Sequence, residues 1–256
     1  MPAVLITFEG GDGSGKSTQA KLLNAFLREK GYNVFFTHEP GGTAYGEKIR
    51  TILLDAPKSE GFDLDARAQV LGFCSARAQL VAEKIIPHLK KKNFVVICDR
   101  YADSTIAYQV YGGNLLEFRE EVEEILSFAT RKLKPDLTIF LDVTLEESLR
   151  RREGRIKDQE EPHEYFNGQQ LTFIDSNHFD EQTKQFHESV KQGYEWLIEK
   201  EPSRWMRIDA NRPIAVVAEE INAKVLAWLE TQNVRPKMRD SSTAKKDDEI
   251  SGPSLF

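Results

Sequence analysis

The sequence predicts an α/β fold, with a five-stranded parallel sheet and helices on both of its faces. Short runs rich in β-branched and aromatic residues alternate with longer segments of helical periodicity, the order from which parallel sheets are built. One of these runs, FVVICD at 94–99, is apolar almost throughout, as expected for a strand buried on both faces. The predicted strands are 3–8, 33–38, 94–99, 136–143 and 205–210.

Helical segments fill the intervals between the predicted strands. The first begins near Lys16, places Leu23 and Leu27 on one face and ends at Gly31, a residue that commonly stops a helix. The stretch EPGGT at 39–43 is predicted as a loop, because proline and glycine interrupt both patterns. The other helices are predicted over 44–55, 63–92, 101–111, 117–131 and 213–231. A further helix runs from 145 to about 155, and another, which follows the polar segment 156–177, ends at about 200.

The composition is typical of a folded protein without a membrane or nucleic-acid partner. Of the 256 residues, 40 % are hydrophobic, and the net charge of −6 excludes a global basic field for nucleic acid. No apolar run approaches the length that spans a membrane, and the N-terminus lacks a signal-peptide pattern. We therefore expect a cytoplasmic protein, with Cys74 and Cys98 reduced and buried.

The chain is long enough for one domain, which we expect to cover 1–233. The remaining segment, 234–256, has mixed charge and few apolar residues, a composition typical of a disordered tail. Binding of a partner by this tail is the alternative.

The stretch GGDGSGKST matches the P-loop pattern, and it lies between a predicted strand and a predicted helix. Backbone N–H groups of such a loop surround a phosphate at the helix N-terminus. Lys16 is predicted to reach the β- and γ-phosphates, and the Ser17 hydroxyl to ligate Mg²⁺. This pattern predicts ATP or GTP binding by Gly10, Gly11, Asp12, Gly13, Ser14, Gly15, Lys16, Ser17 and Thr18.

Two residues at the end of the third predicted strand are candidates for work on the same nucleotide. Asp99 stands where a Walker B carboxylate holds Mg²⁺, although a strand-terminal Asp that caps a turn is the alternative. Arg100 follows it, and a guanidinium beside a Mg²⁺ site can bind phosphate and stabilise charge on the transferring group. Together, Asp99 and Arg100 favour phosphoryl transfer over nucleotide binding alone.

An aromatic residue and an arginine share a face of the predicted helix over 63–92. Phe73 and Arg77 are four residues apart, and such a pair can stack a base and donate to its carbonyl. Taken alone, a core position for Phe73 and a surface position for Arg77 are the more common outcomes. Spacing therefore leaves a base site open.

Several motifs together resemble the thymidylate kinase family. EGGDGSGKST, EPGGT followed by Arg50, FCSAR, DRYADSTIAYQ and PDLTIFLDV occur in the order and spacing of that family. The resemblance covers about 1–155 and resumes near 178–232. It implies a P-loop nucleoside monophosphate kinase fold with a lid, which transfers the γ-phosphate of ATP to dTMP with Mg²⁺ and gives dTDP. It also implies a homodimer.

The resemblance assigns roles on the acceptor side of this reaction. Arg50 and Arg100 would hold the phosphate of dTMP, and Asp12 would approach the 3′-hydroxyl of its deoxyribose. Glu39, in EPGGT, would lie near the metal and the acceptor phosphate, so that the implied metal set is Ser17, Asp99 and Glu39.

The thymine site is implied in the same way. Phe73 would stack on the base and Arg77 would bond its O4 edge. Thr105 would contact N3, and Tyr108 would fill the space that a ribose 2′-hydroxyl needs. Family position thus decides what spacing left open.

The lid, about 150–178, is the least regular part of the resemblance. Gly13 and the arginines near 150–155 are similar to the bacterial arrangement, in which the lid supplies the cation that the loop lacks. A solvated helix end is the alternative for these arginines. The segment 156–179 is longer than the family pattern. The catalytic residues that we expect are Lys16, Asp99, Arg100, Arg155 and, as second choice among the lid arginines, Arg151.

Two other functions stay open at this point. One is a nucleoside kinase, or a kinase for another nucleotide, with the same fold. The second is a nucleotide-dependent switch or assembly ATPase, which would hydrolyse ATP slowly without an acceptor.

Overall fold

The computed structural model describes residues 2–55, 61, 63–158, 165–166, 169–170 and 181–236; for 152–158, 165–166, 169–170 and 181–183 it describes the backbone alone. Its centre is a five-stranded sheet, and every neighbouring pair of strands in it is parallel. Its strands are β1 Val4–Glu9, β2 Asn33–His38, β3 Phe94–Asp99, β4 Leu137–Asp142 and β7 Trp205–Asp209, while β5 and β6 form a separate hairpin described below. The spatial order in the sheet is β2-β3-β1-β4-β7.

Helices connect these strands, and three of them contain or continue into π-helical segments. The helices are α1 Lys16–Glu29, α2 Ala44–Arg50, α3 Ala66–Leu80, α4 Ile86–Leu89, α5 Ala102–Thr105, α6 Arg119–Ala129, α7 Leu145–Asp158, α8 Glu181–Lys200 and α9 Ile214–Thr231. The π-helical segments are Thr51–Asp55 after α2, Val81–Ile85 between α3 and α4, and Ile106–Gly112 after α5.

The helices predicted over 63–92 and 101–111 are present but differ from regular α-helices. Each contains a π-helical stretch, a feature that depends on local insertion into the helix rather than on hydrophobic period. A short antiparallel hairpin, β5 Tyr165–Phe166 with β6 Gln169–Gln170, lies in the expected lid segment and was not predicted.

The hydrophobic core lies on both faces of the sheet, which confirms the doubly wound α/β prediction. On one face, α1 and α9 pack against the central strands through residues such as Leu23, Leu27 and Ile221. On the other, the π-helical segment after α5 packs against α8, with Val110 and Tyr194 buried. Val234 is also buried in the core, and the tail beyond 236 lies outside the described residues.

Parallel strands bring their carboxyl ends to one edge of the sheet, and ligands bind at that edge in open α/β folds. Here the strands end in acidic residues or histidine. Asp99 lies opposite Phe8 on one side and His38 on the other. The last residues of the five strands are Glu9, His38, Asp99, Asp142 and Asp209.

None of the described helices is long and apolar enough to cross a membrane.

Candidate active site

The loop after β1 folds as the P-loop pattern predicts. Gly15, at φ 93°, directly precedes α1. The Lys16 ammonium turns back over the loop and donates to the carbonyl oxygens of Gly10 (3.0 Å) and Gly11 (2.7 Å). Burial, followed by the repulsion of Arg100, lowers the pKa of Lys16 to about 8. The Lys16 ammonium therefore lies over the loop, where the P-loop motif predicts that it contacts the phosphates of a nucleotide.

Gly13 lies directly under the first turns of α7. Its φ is 77°, and a Cβ added there would lie 2.7 Å from the carbonyl oxygen of Ser148. The Ser148 hydroxyl in turn donates to the carbonyl oxygen of Asp12. The base of the expected lid thus packs on the phosphate loop, and this contact leaves no room for a side chain at position 13.

We expect Gly13→Ala to lower the free energy of unfolding by about 1–3 kcal/mol, because both the backbone angle and the Ser148 carbonyl oppose a Cβ. Gly11→Ala is the matched control: among the described residues nothing lies within 4 Å of its added Cβ. Its effect should stay within about 0.5 kcal/mol. Chemical denaturation without nucleotide measures both, and equal losses would contradict the packing argument.

A set of oxygen donors lies beside the phosphate loop. The Ser17 hydroxyl donates to Asp99 Oδ2, while Asp99 Oδ1 is buried and lacks a hydrogen-bond partner within the described part of the chain. Glu39 Oε1 is in the same condition, and the Glu39 N–H donates to the Asp99 carbonyl oxygen at 2.9 Å. Two carboxylates and a hydroxyl are hard ligands of the kind that Mg²⁺ takes.

These oxygen donors suit Mg²⁺ that is bound together with water and substrate phosphates, rather than a metal ion coordinated by protein side chains alone. The described residues contain no group of three or more His, Cys, Asp or Glu arranged to hold a metal ion. Mg²⁺ is commonly bound through one or two carboxylates together with waters and substrate phosphates. The unpartnered oxygens of Asp99 and Glu39 are the observation that supports this fit.

Asp12, Arg100 and Tyr108 form one cluster at the edge of the loop. Arg100 Nη2 lies 2.5 Å from Asp12 Oδ1, and the Tyr108 hydroxyl donates to the same oxygen at 2.9 Å. The Arg100 guanidinium also lies 4.8 Å from the centre of the Tyr108 ring. Burial opposes ionisation of Asp12, but the charges of Arg100 and Lys16 and the Tyr108 bond lower its pKa to about 2.

Arg77 is buried and bonds to several residues, in contrast to the surface position that is the more common outcome for such an arginine. It is 2 % exposed, and its Nε donates to Glu39 Oε2 at 2.7 Å. Further donors reach Thr105 Oγ1 and the Tyr101 carbonyl oxygen, both at 3.1 Å. The structure therefore brings together three predicted site residues, Arg77, Glu39 and Thr105, from α3, the loop after β2 and α5.

Two further predicted site residues are Arg50, at the end of α2, and Phe73, on α3. Arg50 is half-buried and donates to the carbonyl oxygen of Pro40 at 3.1 Å. Burial lowers its pKa, as does the charge of Arg100. Phe73 is half-buried on α3, and it is absent from the three hydrophobic clusters formed by the described residues.

The two predicted lid cations differ in how the structure describes them. Arg151 Nε donates to Glu147 Oε1, and its Nη2 donates to the Ala210 carbonyl oxygen, both at 2.7 Å. A longer bond of 3.4 Å reaches the carbonyl oxygen of Arg212, so that Arg151 ties α7 to the loop before α9. The side chain of Arg155 lies outside the described residues.

Sequence reasoning missed the buried residues behind the cluster. Glu9, at the end of β1, is fully buried and accepts bonds from Ser104 and Tyr194. Asp103, beside Ser104, pairs with Arg204 at 2.7 Å. The one signal in the sequence was an acidic residue that ends the apolar run VLITFE.

The fold and this geometry define a class of protein: an α/β protein with a P-loop between its first strand and first helix. The sequence model of the thymidylate kinase family matches residues 8–221. The chain is similar to the thymidylate kinase of Roseiflexus castenholzii, at 41 % identity over 227 residues that cover 89 % of this chain and 94 % of that one. For the thymidylate kinase of Pelobacter propionicus the identity is 39 % over 221 residues, with coverage of 86 % and 93 %.

A solved structure agrees with these sequence matches. The crystal structure of thymidylate kinase from Ehrlichia chaffeensis superposes with a TM-score of 0.64 at 31 % identity, and covers 89 % of this chain and 99 % of that one. The chain belongs to the thymidylate kinase family, and the family and fold predictions are confirmed. It is an enzyme that phosphorylates dTMP to dTDP with ATP.

Proposed function

We propose that this chain carries out the reaction by holding two polyanions in line across the Asp12–Arg100–Tyr108 cluster. The observation that carries the proposal is the position of Arg100, which joins the phosphate loop, through Asp12, to the acceptor-side residue Tyr108. Phosphoryl transfer needs positioning and charge neutralisation more than covalent help from the protein. The acceptor is already a phosphate oxygen, so no strong general base is needed.

On the donor side, residues 10–18 bind the triphosphate of ATP. Lys16 exchanges its contacts with the Gly10 and Gly11 carbonyl oxygens for the β- and γ-phosphates. Ser17, Asp99 and Glu39 would hold Mg²⁺, which supplies positive charge to the phosphates when bound. Their buried and unpartnered carboxylate oxygens support this assignment.

On the acceptor side, Arg50 and Arg100 hold the phosphate of dTMP. Both are half-buried, so each can bind an anion with little competition from water. Asp12 approaches the 3′-hydroxyl of the deoxyribose. Its low pKa keeps it ionised, which suits an acceptor for that hydroxyl.

The base is recognised by Phe73, Arg77, Thr105 and Tyr108. Phe73 is free of the described hydrophobic clusters and can stack on thymine. Glu39, Thr105 and the Tyr101 carbonyl oxygen hold the Arg77 guanidinium in one orientation, from which it would share an N–H with the O4 edge of the base. A fixed donor rejects a base that lacks the matching acceptor.

The missing cation at position 13 is supplied by the lid, in the bacterial-like arrangement. Arg151 already holds the loop at Ala210 and Arg212, which by family position touches adenine. Arg155 lies one helical turn further along α7, at a position on the same side of the helix. We propose that Arg155 contacts the transferring phosphoryl group.

The protein is proposed to act as a cytoplasmic homodimer. Two exposed apolar side chains on the packed helices α3 and α6 support an interface: Leu71 is 58 % exposed and Phe128 is 86 % exposed. Light scattering at micromolar concentration tests this proposal. A mass of one chain at every concentration would refute it.

Acceptor titrations test the proposed roles of the arginines. Calorimetry should give the tightest binding for dTMP, weaker binding for dUMP and UMP, and the largest loss for thymidine, which lacks the phosphate. If thymidine bound as tightly as dTMP, the roles given to Arg50 and Arg100 would be wrong.

The affinity for ATP should fall as the pH rises through about 8. Lys16 is cationic below its lowered pKa of about 8 and neutral above it. If only the cation binds phosphate, the dissociation constant of ATP should rise by roughly tenfold between pH 7 and pH 9. Calorimetry across this range measures the effect, and Lys16→Arg should flatten it. A flat profile for the unaltered protein would contradict the assignment.

A further inference from the structure

Glu9 is a buried carboxylate whose two oxygens are both in use. Oε1 accepts from the Tyr101 N–H at 2.8 Å. Oε2 accepts from the Ser104 hydroxyl at 2.6 Å and from the Tyr194 hydroxyl at 2.8 Å. These donors come from the turn after β3, from α5 and from α8, so that one side chain joins three parts of the fold.

The backbone next to these contacts is strained at Arg100. This residue has φ 67°, a left-handed angle that costs a non-glycine residue about 1–2 kcal/mol. Hydrogen bonds hold the angle from both sides: the Arg100 N–H donates to the Phe8 carbonyl oxygen at 3.0 Å, and the next N–H, of Tyr101, donates to Glu9. Strain of this kind persists where the surroundings over-determine it, and it concentrates at functional sites.

The guanidinium of Arg100 is linked to Glu9 as well. Its Nη1 donates to Ser104 Oγ at 3.3 Å, and the same hydroxyl donates to Glu9. The other end of the guanidinium reaches Asp12 and Tyr108. Ser104 therefore lies between a fully buried carboxylate and the arginine that faces the acceptor.

We propose that Glu9 is a positioning residue for the acceptor phosphate: it fixes both the left-handed backbone of Arg100 and, through Ser104, the direction of its guanidinium. This inference rests on the proposed role of Arg100. A change at Glu9 should then affect dTMP handling and turnover, whereas the P-loop contacts to ATP should survive.

The charges around Glu9 agree with a role directed at Arg100. Asp103, whose charge acts on Glu9, is already paired with Arg204 through two bonds of 2.7 and 2.9 Å. Burial and then Asp103 raise the pKa of Glu9 to about 7, while Ser104, Arg100 and Tyr194 act against that rise. Arg100 is thus a cation that favours the ionised form of Glu9.

Glu9→Gln tests the proposal with a side chain of the same size. We expect kcat to fall roughly tenfold to a hundredfold and KM for dTMP to rise, while KM for ATP stays within about twofold. The melting temperature without ligand is measured in parallel. Glu29→Gln, an exposed position at the end of α1, is the matched control and should change none of these.

Ser104→Ala is the second variant, and it decides the matter if Glu9→Gln does not fold. It removes the link to the guanidinium and should also impair dTMP more than ATP. Unchanged kinetics in either folded variant, or equal losses for both substrates, would overturn the proposal.

Arg100→Ala separates this inference from the proposed function. If Arg100→Ala impairs dTMP handling while Glu9→Gln and Ser104→Ala do not, only the positioning role is refuted. If Arg100→Ala has no effect on dTMP, the role of Arg100 fails, and the positioning role fails with it.

Discussion

Arg100→Ala is expected to lower kcat/KM for dTMP by about a thousandfold or more, the effect of removing a charge-stabilising arginine from phosphoryl transfer. The guanidinium reaches Asp12, Ser104 and Tyr108 at once, so its removal takes away one of the two arginines proposed to hold the acceptor phosphate. The affinity for ATP should change far less, because Lys16 and the loop N–H groups remain. Steady-state kinetics with each substrate varied in turn measure this contrast.

Two further variants sharpen the result. Arg100→Lys keeps the charge but loses the planar fork, and we expect an intermediate loss of roughly tenfold to a hundredfold. Arg235→Ala removes an exposed arginine beyond α9 and should leave the kinetics unchanged. A loss of less than tenfold for Arg100→Ala would mean that another cation holds the acceptor phosphate.

Lys16→Met is expected to lower kcat by about a thousandfold, since its ammonium would neutralise the transferring phosphoryl group. Methionine keeps an unbranched apolar stem in a site where Lys16 is only 6 % exposed, so the fold should persist. Removing the buried charge removes a desolvation cost, but the Gly10 and Gly11 carbonyl oxygens lose their donor, so the ligand-free melting temperature is measured in parallel. Single-turnover kinetics with saturating ATP separate this loss from weaker binding.

The matched control is Lys92→Met. Lys92 is exposed just before β3, at the edge of the sheet opposite to the strand ends that carry the site. It should retain full turnover. If Lys16→Met kept kcat within tenfold of the unaltered enzyme, the phosphate-loop mechanism would need another source of charge.

The strands were the most predictable part of the fold. Two of the five predicted ranges coincide with the observed strands, one differs by one residue at one end, and two differ by one residue at each end. Buried parallel strands are predictable because they are short apolar runs between helix or turn residues. The π-helical segments were not predictable, since they depend on how each helix meets its neighbours.

Part of the candidate site could likewise be predicted from the sequence, and part of it could not. The phosphate loop is local in sequence, so its motif identifies it. The bond between Arg100 and Asp12 joins residues 88 positions apart, and the bond between Tyr194 and Glu9 spans 185. Periodicity and spacing carry no information about such contacts. Its place after the third strand and the family resemblance both pointed to Arg100, and the resemblance pointed to Asp12, but neither drew attention to Glu9.

At Gly13 the sequence and the structure give complementary information. The sequence marked it as a loop position without a cation. The structure adds a steric reason, since the Ser148 carbonyl oxygen occupies the space that a side chain would need. The start of α7 packs on the loop and leaves no room for a side chain at position 13. We propose that the arginines of α7 supply the cation that the loop lacks.

The most direct measurement of the central claim is a product assay with ATP, Mg²⁺ and dTMP, resolved by chromatography. We predict one dTDP and one ADP for each turnover, loss of turnover on chelation of the metal, and no transfer to thymidine. Release of ADP and inorganic phosphate without dTDP would contradict the assignment of the site to phosphoryl transfer between nucleotides.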